Sequence, residues 1–139
     1  MRFMPKRIKH RKHHRGKIRG KANRGNTVAF GQYGLQTLES GRIKADEIEA
    51  CRMAINKVIG EDGNLWIRIF PDKPYTTTAA ETRMGKGKGE PDYYAADVKE
   101  GGMLFEIAGV DKEVAREAFN RAAHKMPVRC KFAERKPLG

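Results

Sequence analysis

No acidic residue precedes Glu39 in this 139-residue sequence, whereas eleven lysines and arginines do. The other 18 basic residues face all 17 acids, so nearly all of the +12 formal charge belongs to one end of the chain. Residues 1–24 carry few apolar side chains, chiefly Phe3, Met4, Ile8 and Ile18, and glycines at 16, 20 and 25 interrupt any helix. Such a segment cannot bury enough surface to offset its own ordering entropy, so it is expected to fold only against a partner. That leaves residues 25–139 to build a core, enough for one modest domain. A neutral body with a cationic extension favours a dedicated nucleic-acid-binding arm over a generally sticky protein.

The arm's candidate phosphate contacts are Lys6, Arg7, Lys9, Arg11, Lys12, Arg15, Lys17, Arg19, Lys21 and Arg24. Basic, acid-poor composition also marks organelle presequences, but serines and a clear amphipathic stripe are missing. His10, His13 and His14 have no cysteine or carboxylate nearby to complete a metal shell, so they read as partly cationic RNA contacts.

A second cationic feature is Arg83-Met84-Gly85-Lys86-Gly87-Lys88-Gly89, three cations alternating with three glycines. Glycine allows positive φ and close approach of a ligand to the backbone, which here points to a polyanion, and a phosphate chain is the commonest. The spacing fails the Walker pattern, since Lys88 is followed by Gly89 rather than Ser or Thr. The loop also lies between strands, not between a strand and a following helix, so the dinucleotide pattern fails too. A solvated hairpin tip remains the plain alternative.

Between and after these features the pattern is α+β. Thr27–Leu35 reads as a short strand with Val28 and Phe30 on one face, and Gly31 or Gly34 marks a bulge or a close backbone approach. Asp46 to Ile59 reads as a helix with an Ile48, Cys51, Ile55, Val58, Ile59 stripe, ended by Gly60 or Gly63. Leu65–Phe70 reads as a strand in which Arg68 lies between Trp66 and Phe70; its stem covers a core rim, or its guanidinium stacks on a base, the former preferred. Pro71–Ala80 reads as an extended loop. Strands are expected at Asp92–Val98 and Met103–Ile107, with Tyr93 and Tyr94 on opposite faces. A second helix capped by Asp111 carries Val114, Ala118, Phe119, Ala122 and Met126, Pro127 ends it, and a last strand runs through Val128, Cys130 and Phe132. Cys51 and Cys130 both lie in apolar patterns and are expected as buried free thiols. No apolar run is long enough to span a membrane. No nucleophile–base pair or carboxylate constellation stands out, which disfavours a nuclease or phosphotransferase; a free RNA-chaperone module stays open.

The glycine loop together with Leu65-Trp66-Ile67-Arg68-Ile69-Phe70-Pro71-Asp72-Lys73-Pro74 resembles the family of bacterial large-subunit ribosomal protein sixteen. So do Phe105–Val110, Ala115–Phe119 and the opening Pro5-Lys6-Arg7 with Lys9 and Arg11, so the resemblance covers nearly the whole chain. It implies an α/β-hammerhead type of α+β domain, with an antiparallel or mixed sheet and two helices, on a cytoplasmic ribosome rather than an organellar one. It also implies a non-enzymatic constituent that binds 23S-type rRNA through the arm and contacts aminoacyl-site tRNA, and by extension peptidyl-site tRNA, through residues 83–89. Neighbouring large-subunit proteins are implied partners; no cofactor, metal, small-molecule substrate or membrane is. Tyr94 stands where the family has tryptophan, Asp97 where its strand is apolar, and Lys44 where a hydroxyl caps the first helix.

Overall fold

The computed structural model describes residues 25–75 and 93–136. The arm at 1–24, the Arg83–Gly89 loop and residues 76–80 of the Pro71–Ala80 segment read above as loop lie outside the described residues.

The chain runs β1 (Tyr33–Thr37), β2 (Gly41–Lys44), α1 (Ala45–Ile59), β3 (Asn64–Ile67), β4 (Lys73–Tyr75), β5 (Tyr93–Val98), β6 (Met103–Ala108), α2 (Lys112–Ala123) and β7 (Cys130–Glu134). A four-stranded sheet has the order β3-β6-β1-β7 and a three-stranded sheet the order β2-β5-β4. Every pairing is antiparallel. The expected α+β class is what forms.

Both helices follow their stripes. Ile48, Cys51, Ile55 and Ile59 are buried along α1, and α1 packs on α2. Without a hydroxyl cap, the start of α1 is held from the other side: the Glu47 carboxylate reaches back and accepts the Lys44 backbone N–H at 2.8 Å. Gly60, at φ 63°, ends the helix. On α2 the buried residues are Ala115, Ala118, Phe119 and Ala122, so the stripe is rotated from the expected one and Val114 is only half-buried.

Residues opposite each other on an antiparallel ladder share a face. Leu65, Ile107 and Tyr33 form one such row and Ile67, Phe105 and Leu35 the next, all turned toward the helical core. The opposite face carries the row Trp66, Glu106 and Gly34. It is covered too, which is why β6 is buried on both sides rather than alternating.

Several boundaries differ from expectation: the second helix ends at Ala123, short of Met126 and Pro127, and the last strand starts at Cys130 rather than Val128. The first strand starts only at Tyr33; Phe30 does not share a buried face with Val28 but stands 59 % exposed. The third strand stops at Ile67. Two short strands were not expected, β2 and β4. Pro74 fits in β4 because that strand is an edge, where a missing N–H breaks no sheet.

Cys51 is buried and Cys130 half-buried, and both are free thiols. Burial pushes Cys51 up to about 12 and Cys130 up to about 11. Burial thus disfavours both thiolates at neutral pH, and it also shields the Cys51 sulfur from reagents. Cys51→Ser is expected to destabilise by about 1 kcal/mol: burying a hydroxyl in place of the thiol is costly, and the Ala122 carbonyl, 3.4 Å from Sγ, offsets part of that by accepting from it. Maleimide labelling should be negligible in the native state at pH 7 and complete on unfolding; rapid native labelling of Cys51 would contradict its burial.

Candidate nucleic-acid interface

Both cationic segments join the body at built attachment points. The first is the stretch 25–31, which follows the arm and crosses the outer face of the four-stranded sheet. The Met103 N–H donates to the Gly25 carbonyl at 2.7 Å, and Val28 is buried. The Glu106 carboxylate comes up from β6 into this crossing with no exposure to solvent. Its Oε1 accepts three consecutive backbone N–H groups, from Ala29 at 2.9 Å, Phe30 at 2.8 Å and Gly31 at 2.9 Å. Its Oε2 pairs with Arg68 Nη1, which also donates to the Thr27 carbonyl at 2.9 Å.

Gly31 is needed at this crossing, since a Cβ there would lie 2.6 Å from the Ile107 carbonyl oxygen. The expected close backbone approach is therefore real. Burial alone would raise the Glu106 pKa, yet bonds from the Gly31 amide, Arg68 and the Phe30 amide reverse that and hold it below the ordinary glutamate value. Arg68 thus covers a core rim, as preferred from the sequence, with a buried carboxylate as partner. Its guanidinium carbon lies 5.2 Å from the centre of the Phe30 ring.

The second attachment point is the base of the 76–92 connection. Tyr75, the last residue of β4, pairs directly with Tyr93, the first of β5. Their rings stack at 5.6 Å between centroids and 20° between planes. Asp97 ties the strands behind them, accepting from Lys73 Nζ at 2.8 Å, the Tyr75 hydroxyl at 2.7 Å and Arg42 Nε at 3.4 Å. Burial and the bond to Asp97 push Tyr75 up to about 12. Burial also tends to raise Asp97, but Lys73, Tyr75 and Arg42 together lower it. Arg42 lies 3.6 Å over the Tyr75 ring and Lys44 Nζ 4.8 Å over that of Tyr93. Asp97, the departure from an apolar strand, therefore has a purpose: it joins β2, β4 and β5 where the long connection leaves them.

None of the residues expected to touch RNA is among the described ones. Lys6, Arg7, Lys9, Arg11, Lys12, Arg15, Lys17, Arg19, Lys21 and Arg24 precede the first attachment point, and Arg83 to Gly89 fall inside the 76–92 connection. Sequence reasoning missed the anchoring residues Glu106 and Asp97. An acid flanked by apolar residues inside the Met103–Ile107 strand was the available signal, because carboxylates are seldom fully buried without partners.

What the described residues define is a small α+β body from which two cationic segments of the sequence depart, one at Gly25 and one between Tyr75 and Tyr93. The family model for Ribosomal protein L16p/L10e matches residues 5–133. The chain is 57 % identical over 136 residues to the Large ribosomal subunit protein uL16 of Rhodopirellula baltica, covering 98 % of this chain and 99 % of that one. The chain belongs to the L16p/L10e family of ribosomal proteins. It is a structural constituent of the large ribosomal subunit, ribosome-bound in the cytoplasm, and not an enzyme.

Proposed function

We propose that residues 1–24 anchor the protein in large-subunit rRNA and that residues 83–89 reach tRNA beside the peptidyl-transferase centre. In this reading residues 25–139 form one domain that fixes both. The arm's cations displace condensed counterions from rRNA phosphates. Arg83, Lys86 and Lys88, with glycines between them, approach tRNA and rRNA backbones without steric conflict. The protein steadies incoming tRNA and supports late subunit assembly, while the bond-forming chemistry belongs to RNA. The observation that carries this reading is the fixed base of the 76–92 connection, where paired Tyr75 and Tyr93 stack and Asp97 ties three strands. Fixing the two ends of the connection removes part of the entropy that ordering it against a ligand would cost.

Sucrose-gradient sedimentation of a lysate tests it, comparing the natural protein with a Lys86→Glu, Lys88→Glu variant. The natural protein is expected to migrate stoichiometrically with the large subunit in moderate salt. The variant should keep its fold, yet its subunits should mature late or accept tRNA slowly. Migration of the natural protein at the top of the gradient in growing cells would make it a free RNA-binding module. Normal assembly and translation with the variant would remove the loop's role.

A further inference from the structure

We infer that the exposed ring of Phe30 is a stacking platform for one unpaired RNA base, set where the arm meets the body. This rests on the rRNA-binding reading and names a contact within it. Phe30 is 59 % exposed, although its backbone N–H is held by the buried Glu106 carboxylate. Its N–H and those of its two neighbours all end on the buried Glu106 carboxylate. The Arg68 guanidinium carbon lies over the ring, 5.2 Å from its centre, which leaves the opposite face for a ligand. Among the described residues the ring contributes little to the core, so packing there does not account for a phenylalanine turned outward.

The chemistry favours a base over a phosphate. Among the described residues Arg68 is the charged group over the ring, and its charge is already matched by Glu106. The platform therefore offers a π-face backed by a neutralised guanidinium, which suits the flat face of a nucleobase. Phosphates flanking that nucleotide would fall to the arm, which begins six residues upstream at Arg24. Stacking on a rigid aromatic also loses less entropy than stacking on a mobile one.

The test uses the full-length protein and a transcript of its large-subunit rRNA, titrated across a salt series, with Phe30→Ala, Phe30→Leu and Phe30→Trp variants. Removing a base-stacking aromatic should weaken binding about ten-fold or more in the Ala variant, with Leu close behind and Trp near the natural affinity. The slope of log affinity against log salt should not change, since no ion pair is altered. Ultraviolet irradiation of the natural complex should give a nucleotide adduct on the peptide containing Phe30. Natural-strength binding by the Ala or Leu variant would overturn the platform, and in that case a ring needed only for incorporation into the subunit is facing a protein neighbour. A changed slope would overturn it too, in favour of a phosphate contact. Failure of the natural protein to bind the transcript at all would bring down the rRNA-binding reading itself, and the platform with it.

Discussion

Glu106→Ala is expected to cost about 3–5 kcal/mol of stability, the range for removing one partner of a buried ion pair. The loss leaves Arg68 without its carboxylate and three backbone N–H groups without an acceptor. Arg68→Met should cost less, because Glu106 keeps all three amide donors and remains bonded in its buried position. Hydrogen exchange locates the damage: the amides of Ala29, Phe30 and Gly31 should be protected in the natural protein and exchange rapidly after loss of Glu106. If Arg68→Met proved the more damaging change, the amide bonds would not be the main tie between this crossing and the sheet.

The same carboxylate sets part of the acid limit of the fold. The Glu106 pKa lies below its ordinary 4.5 in the folded state. Its contribution is therefore complete above that value and is lost as pH falls through the lower folded one. Asp97 is lowered in the same sense, so the two attachment points should weaken together in acid. Glu106→Gln, which cannot titrate, should flatten the decline in melting temperature below about pH 4.5 while lowering stability at neutral pH.

How far the sequence could be read depends on how far apart the interacting residues lie. The helices were legible because Ile48, Cys51, Ile55 and Ile59 repeat at helical spacing and need only their own segment to be recognised. The strands at 93–98 and 103–108 were legible from β-forming residues between turns. Thr27–Gly31 was not, since it alternates like a strand but its amides are taken by a carboxylate 75 to 77 positions away. β4 was hidden by Pro71 and Pro74, whose local meaning is a turn; only the neighbouring β5 makes Pro74 an edge-strand residue. The cationic arm and the glycine loop announced themselves by composition and by family resemblance. Glu106 and Asp97 showed only as acids among apolar residues, and that sign did not reveal their role, because what distinguishes an anchoring acid from a solvated one is a set of partners distant in sequence.

Deletion of residues 1–24 is expected to have the largest effect on RNA binding. It removes eleven cations and no acid, so the formal charge falls from +12 to +1. An arm making about six to ten phosphate contacts would lose roughly 10³- to 10⁵-fold in affinity between about 50 and 200 mM salt. The shortened protein should bind weakly at every salt concentration and show a much flatter slope, each lost contact taking about 0.7–0.9 from it. A full-length variant with the same eleven residues changed to glutamine separates charge from chain. It should flatten the slope as the deletion does, whereas an arm acting through shape would leave the glutamine variant bound. Its thermal stability should match that of the natural protein, because the ties through Met103, Glu106 and Arg68 all begin at Gly25 or beyond. A slope that survives both changes would move the rRNA anchor from the arm to the body, with Arg42, Lys44 and Lys73 around the base of the 76–92 connection as the cations to test next.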